Sequence, residues 1–406
     1  MRLLVVGAGG VGASAATIAA RRPVFKDIVL ADRDVPRAQR AAAATRSERV
    51  TAVGVDASDE GAVRALIEQT SADAVLNACD PRFVMPIFDA VAGTGAIYLD
   101  MAMSLSHPDP SAPYEKPGVM LGDEQFAQAD AWSERGQLAL VGIGVEPGLS
   151  DVFARYAADH LFSRIDEVGI RDAADLVVRG YDFAPTFSIW TTIEECLNPP
   201  LVFERGRGWF TTEPFSEPEV FTFPEGIGPV ECVNVEHEEV VLVPRWVDAG
   251  RVTFKYGLGE EFISVLRALH TVGLDSTEPV SVGGARVSPR DVVAACLPDP
   301  ATLGERMSGR TCAGTVVRGA DLAGAPAEVY LYHVVDNEWS MREWGAQAVL
   351  WQTAVNPIVA LELLEAGTWG GSGVLGPEAM DAVPFLDLLA EYGAPHGIEH
   401  RTPPSD

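Results

Sequence analysis

The feature that most constrains this chain is its first dozen residues. Leu3–Val6 is a continuous apolar run, as a strand buried on both faces requires. Gly7-Ala8-Gly9-Gly10-Val11-Gly12 follows at once, and Ala13–Arg22 then reads as an Ala-rich helix. In a strand–GxGxxG–helix unit each glycine has a physical task. Gly7 permits the tight turn, Gly9 removes a side chain where a pyrophosphate approaches, and Gly12 lets helix and strand pack closely. Gly10 and Val11 open the helix, whose free N–H groups and positive dipole end suit phosphate. A dinucleotide site is the expected consequence.

The next 130 residues repeat the alternation. Asp27–Ala31, Val50–Val55, Ala74–Asn77, Ile97–Leu99 and Leu138–Ile143 read as strands, with helical stretches between them. Such alternation implies right-handed crossovers and a doubly wound parallel sheet, the Rossmann arrangement of the α/β class. Asp32 ends strand two, 20 residues past Gly12, where a carboxylate accepts hydrogen bonds from the adenosine ribose. That position favours NAD. Arg33 follows directly and keeps NADP open as the alternative. Asp56 and Ala57 stand where the adenine is flanked; Asp56 reads equally as a helix N-terminal acid before Ser58. Asn77, Ala78 and Asp80 end strand four, and Asp100 ends strand five, on the carboxyl edge that should face the nicotinamide half.

The 406 residues suggest two domains. The formal charge of −28 repels phosphate backbones and anionic lipid, so nucleic acid and acidic membrane are poor partners. Five scattered cysteines with no CxxC argue against a disulfide framework or a Cys-rich zinc site. The apolar stretch Ala348–Leu364 is broken by polar residues and too short to span a bilayer, and no leader-like segment precedes the first strand, so a cytoplasmic protein is expected. HExxH, GxSxG and GxxxxGK[ST] are all absent, which removes zincin, hydrolase-elbow and P-loop chemistry. His237, flanked by Glu236, Glu238 and Glu239, reads as part of a polar strand face within Val233–Val243, and no metal is expected.

From about Leu149 the pattern changes to short strands and helices. Strands are expected at Asp166–Arg171, Leu176–Gly180, Arg251–Tyr256, Thr315–Val317 and Val329–Val334, with a hairpin at Val280–Val287. This suits an α+β domain with a mixed open sheet. Ala346–Leu364 and Met380–Tyr392 read as helices, and Arg401–Asp406 as a frayed tail.

At several segments the chain resembles the saccharopine dehydrogenase-like family, which includes saccharopine reductase, lysine 6-dehydrogenase and carboxynorspermidine dehydrogenase. The resemblance is carried by Gly7–Gly12, Val75-Leu76-Asn77-Ala78, Tyr98-Leu99-Asp100 and Gly144-Val145-Glu146-Pro147-Gly148. Phe187–Glu204 looks most like the lysine 6-dehydrogenase and saccharopine-type members, and Phe262–Gly314 more like carboxynorspermidine dehydrogenase. The resemblance implies a Rossmann domain over 1–148, completed by C-terminal helices from about 345–400. A substrate and dimerisation domain over 149–344 and a homodimer follow from it as well. It also implies hydride transfer at a carbon–nitrogen bond of an amino-acid or polyamine-derived amine. Oxidative deamination of the lysine 6-dehydrogenase type is one alternative. A cyclodeaminase-like lyase with recycled NAD and a non-enzymatic NAD sensor are the others.

Four residues are then catalytic candidates. Glu146 lies at the domain junction, where relatives often have an acid, and Asp100 lies on the nicotinamide edge. Trp190, beside Glu194 and Glu195, can hold an ammonium through its ring; its bland reading is a buried aromatic. Lys255, in Lys255-Tyr256-Gly257, stands where several relatives carry an Arg-Tyr and a Gly, and can pair with a substrate carboxylate. Arg171, Arg205 and Arg245 are alternative carboxylate forks. The site is expected in a cleft between the domains.

Overall fold

A computed structural model describes residues 1–393 and 395–403. The strands β1 (Arg2–Val6), β2 (Asp27–Asp32), β3 (Val50–Gly54), β4 (Ala74–Asn77), β5 (Ile97–Asp100) and β6 (Leu138–Leu140) form one parallel sheet. A seventh strand, Gly373–Leu375, comes from the far end of the chain and pairs in parallel with β6. The spatial order is Gly373–Leu375, β6, β5, β4, β1, β2, β3. The strand order reverses at β1, so the crevice beyond its carboxyl end is where a ligand of such a sheet belongs. Helix α1 (Gly10–Ala20) leads away from that point and packs against the long buried helix Ala348–Glu365.

The second sheet is mixed and has nine strands. Its centre is β7 (Phe162–Ala174), parallel to Ala249–Gly257 on one side and antiparallel to Arg310–Asp321 on the other. Pro326–Asp336 and Gly397–Arg401 extend it. Helix Leu149–His160 joins the two sheets and packs on both β7 and Arg310–Asp321. One continuous core runs through both halves, with a smaller aromatic cluster around Phe221, Phe223 and Tyr330.

Two expectations fail locally. The tail was expected to fray from Arg401, but Arg401 closes the strand that pairs with Pro326–Asp336, and its guanidinium lies over Tyr330. Residues 404–406 of that tail lie outside the described residues. The run Val233–Val243 is not one strand. The strand ends at Asn234, and Glu239–Trp246 is a helix with Val240–Val243 buried. A short, continuous apolar run has no period that separates a buried helix from a buried strand.

Candidate active site between the two sheets

A cleft of about 1530 Å³ opens between the carboxyl edge of the parallel sheet and the second domain. Its first wall is backbone. Gly7 has φ +106°, and a Cβ there would lie 2.6 Å from the Ala78 carbonyl oxygen. A Cβ on Gly12 would fall on the Gly7 carbonyl, and one on Gly10 would strike Leu350. Gly9 differs, because a Cβ there would meet nothing within 4 Å among the described residues. It faces the cleft at the start of α1, where no side chain caps the helix. Open space, uncapped N–H groups and a helix dipole fit a dinucleotide pyrophosphate. Val11, Ala57 and Ala78 line the same wall.

Asp32 lines it too, and its carboxylate accepts N–H bonds from Ala8 (2.7 Å) and Asp34 (2.8 Å). It therefore braces the glycine loop while standing at the ribose position. Arg33 and Arg37 are the only cations on the cleft wall among the described residues. Arg37 is paired with Asp299 of the second domain at 2.8 Å. Asp56 is at the wall, with its carboxylate turned to the N–H and hydroxyl of Ser58, bonds that hold it below the usual carboxylate range.

Asn77 and Asp100 sit behind this wall and do not line the cleft. Asn77 donates to the Tyr98 hydroxyl (3.2 Å) and accepts from the Cys79 N–H (3.0 Å). Asp100 is almost fully buried, accepting from the Gly142 N–H (2.7 Å) and the Gln125 amide (2.8 Å). Burial pushes it up to about 7. Both residues brace strand ends, because their side chains point into the sheet rather than past its edge.

The second wall is made of side chains and is acidic. Glu146, Asp172, Glu195 and Glu238 line its inner part, and Asp182, Glu260 and Glu261 its exposed rim. Glu146 and Asp172 are in hydrogen-bond contact, and among the described residues Glu146 Oε1 has no N–H or O–H donor. Two carboxyls can meet in this way only if one keeps a proton. Burial and Asp172 raise Glu146 well above its ordinary value, while burial raises Asp172 to about 6. Glu195 is pushed up by burial to about 8, against the pull of His237. The phenol of Tyr256 completes this wall.

His237, expected on a polar strand face, is instead fully buried behind Tyr256. Its Nδ1 lies 2.6 Å from Glu239 Oε2 and its Nε2 3.2 Å from the Tyr256 hydroxyl. Burial alone would lower this imidazole, but Glu239, Glu238 and Glu195 outweigh it and raise it to about 10.

Two catalytic candidates take other positions. Lys255 is not on the cleft wall. Alternate residues of a strand face opposite sides, so with Tyr256 turned to the cleft Lys255 turns away. Its ammonium donates to Glu219 (2.9 Å) and to the Glu217 carbonyl (2.8 Å). Arg171, opposite it in register, pairs with the same Glu219. Trp190 does line the cleft, but Arg82 from the first domain and Arg290 from the second lie over its ring, at 4.3 and 4.7 Å. Arg205 pairs with Asp248 and Arg245 lies over Phe126, so neither is a fork for a substrate. Asp172, Glu238 and His237 are functional candidates that sequence reasoning missed. The Glu236-His237-Glu238-Glu239 run was the available signal for two of them, and nothing local marks Asp172.

Fold and site together define a two-domain dinucleotide-binding oxidoreductase. A model described as the saccharopine dehydrogenase NADP binding domain matches residues 3–140, and one described as the saccharopine dehydrogenase C-terminal domain matches 144–394. The carboxynorspermidine synthase of Vibrio alginolyticus is 30% identical, over 99% of this chain and 98% of that protein. The carboxyaminopropylagmatine dehydrogenase of Synechocystis sp. is 31% identical, over 97% and 96%. Apo saccharopine dehydrogenase (L-Glu forming) from Saccharomyces cerevisiae shares the fold, with a TM-score of 0.70 at 13% identity, covering 99% and 100% of the two chains. The chain belongs to the saccharopine dehydrogenase family. It is an NAD(P)-dependent oxidoreductase acting on carbon–nitrogen bonds.

Proposed function

We propose that the substrate is a polyamine-type amine, with several positive charges and few carboxylates, of the kind named by the carboxynorspermidine and carboxyaminopropylagmatine relatives. The observation that carries this reading is the composition of the second wall. Seven carboxyl side chains line it from Glu146 to Glu261, while the cations on the cleft wall, Arg33 and Arg37, belong to the first domain's side. Ammonium groups are stabilised there, whereas a saccharopine-like tricarboxylate meets like charge with no free fork. When bound, NAD(P) supplies or accepts the hydride.

The chain's own residues do the rest. The N–H groups after Gly9 hold the pyrophosphate, and Asp32 favours NAD by accepting from the ribose hydroxyls. The inner carboxyls Glu146, Asp172 and Glu195 bind the amine near the reacting carbon. The raised values of Asp172, about 6, and Glu195, about 8, let these two take up or release a proton near neutral pH. In this reading residues 1–148 and the returning C-terminal segment hold the cofactor, 149–344 hold the substrate, and the protein is a cytoplasmic homodimer without a nucleic-acid partner. Light scattering checks the last assembly.

The decisive experiment measures initial rates with NAD⁺ and NADP⁺ on carboxynorspermidine, saccharopine and lysine. A kcat/KM at least about 100-fold higher for carboxynorspermidine than for saccharopine is expected, about 2.7 kcal/mol in transition-state terms. Preference for saccharopine overturns the substrate reading.

A further inference from the structure

We propose that Tyr256, His237 and Glu239 form a proton relay serving the substrate nitrogen, with Tyr256 passing the proton at the cleft wall and His237 acting through it as a positioning residue and proton store. The inference rests on the oxidoreductase reading above but adds a path that leads out of the cleft into the core.

Three separate elements build the relay. The strand Ala249–Gly257 contributes Phe254 and Tyr256, two residues apart and hence on one face. The segment before helix Glu239–Trp246 contributes His237 and Glu238, and that helix begins with Glu239. Helix Leu149–His160 contributes Ser150. The His237 ring is stacked on Phe254, with centroids 3.8 Å apart and planes 6° from parallel. Stacking fixes the plane of the imidazole, and its two nitrogens fix the rotation within that plane. Nδ1 meets Glu239 Oε2 at 2.6 Å, and Nε2 meets the Tyr256 hydroxyl at 3.2 Å. Glu239 is held in turn, because Oε1 accepts from the Ser150 hydroxyl at 2.8 Å. Glu238 is 3.3 Å from Nδ1, and its other oxygen accepts from the Met103 N–H at 3.1 Å.

The burial gradient gives the relay a direction. His237 and Glu239 are fully buried, whereas Tyr256 is half-buried and on the cleft wall. Since a carboxylate only accepts, Glu239 keeps a proton on Nδ1, so the proton that can leave is the one on Nε2. That proton faces the Tyr256 oxygen. The charged groups around His237 are Glu238 and Glu239 from its own segment, Glu195 from helix Ile189–Leu197 and Asp172 from β7, with Glu146 beyond Tyr256. All are carboxyls, and together they favour the imidazolium.

In the reductive direction the step balances as follows. The nitrogen lone pair of a neutral imine takes the proton of the Tyr256 hydroxyl, and Tyr256 takes the Nε2 proton of His237. The imidazolium becomes neutral, and its charge now sits on the iminium. The iminium carbon then accepts hydride from bound NAD(P)H, and the C=N π pair becomes the lone pair of a neutral secondary amine. Solvent reaching the open cleft returns the proton to His237 through Tyr256. Amine oxidation runs the same steps backwards.

The test uses Tyr256→Phe, which removes one oxygen and keeps the ring, and Glu239→Gln, which keeps the shape of the Nδ1 partner and removes its charge. In the reductive direction, with the preferred reduced cofactor and the carbonyl compound and amine that condense to the imine of carboxynorspermidine, each is expected to lower kcat by about 100-fold at pH 7.5, the ordinary size of general acid–base help. KM should stay within about threefold, and the double variant should be hardly worse than either single one. Tyr256→Phe with kcat within about threefold of the wild type overturns the relay. Histidine-selective ¹³C NMR on the substrate-free protein, with His237→Gln for assignment, gives a readout that turnover does not control. His237 is expected to be protonated at pH 8 in the wild type and to lose that proton at lower pH in Glu239→Gln. A His237 ring already neutral at pH 8 overturns the relay. If the wild type turns over none of the amines, the functional reading falls, and the NMR result still decides the relay.

Discussion

The first-domain wall of the cleft is built from backbone, and the second-domain wall from side chains. On the first, Gly7, Gly9 and Gly12 matter for what they lack, and each is tied to a position along a single strand–turn–helix unit. On the second, Glu146, Asp172, Glu195, Glu238 and Tyr256 come from five separate stretches of chain. Close-packed backbone leaves no room for an added atom at Gly7 or Gly12, and the glycine loop itself brings no side-chain charge. A wall of buried carboxyls tolerates shape changes better, and its charge varies with pH. The first suits a cofactor of constant structure, and the second can be retuned for a substrate.

The largest expected effect is on the first wall. Gly12→Ala puts a methyl onto the Gly7 carbonyl, backbone against backbone, where nothing flexible can yield. Titration calorimetry should detect no NAD(P) binding even at about 100 times the wild-type Kd. Normal binding would mean that the loop is not the cradle.

On the second wall, Glu195→Gln should lower kcat/KM for a cationic amine by about 100-fold, with cofactor affinity unchanged within about twofold. Equal losses in both would merge the two walls into one unit and break the comparison.

The walls should also differ in their response to pH. Asp100, Asp172, Glu195 and Glu236 rise to about 7, 6, 8 and 7 in the folded protein, all because of burial. A group whose folded pKa is raised binds more protons when folded. Its contribution is complete below the unfolded value, near 4, and is lost as pH climbs through the folded one. His237, raised to about 10 by its glutamates once burial is outweighed, acts in the same sense between 6.5 and 10. Tm should therefore fall from pH 6 to pH 8.5, by about 5 °C or more. Norspermidine, placing cations against Asp172 and Glu195 in the cleft, should restore more of it at pH 8.5 than at pH 6. A Tm that rises over this range would show that the carboxyls are ionised without cost.

Asp32→Ala should weaken NAD about tenfold, roughly 1.4 kcal/mol, since a ribose partner and the brace on Ala8 are lost together. A wild type preferring NADP by that factor would transfer the role to Arg33. The smallest effect is expected at Lys255. Lys255→Met should leave kcat/KM within about threefold, while Tm drops because Glu219 keeps only Arg171 as its cation. A large kcat/KM loss without a Tm change would return Lys255 to the active site.

Most of the first wall was legible in the sequence because its signals are local. The glycine spacing, the strand before it, the helix after it and Asp32 all lie within 32 residues. Asn77 and Asp100 were placed on the right edge but not in the cleft, because sequence position does not tell which way a strand-end side chain turns. The Lys255-Tyr256 pair shows the same limit more sharply, where a shift of one residue exchanges the buried ion pair for the cleft wall. His237 is visible among its glutamates, but the sequence places it on a strand because Val240–Val243 has no usable period.

By itself the sequence determined the alternating parallel sheet, the dinucleotide loop, the acidic character of the chain and the family. The first three follow from local periodicity, from glycine's missing Cβ and from simple charge counting, and the family from the resemblance carried by Gly7–Gly12, Val75–Ala78, Tyr98–Asp100 and Gly144–Gly148. The tertiary structure alone decided which acids face the cleft, that Trp190 holds two guanidiniums of the protein, and that His237 stands behind Tyr256. Those outcomes depend on strand pairing across dozens of residues, as between Tyr256 and Asp172. They depend also on the burial that such pairing imposes, which raises carboxyl pKa values and which no local pattern encodes.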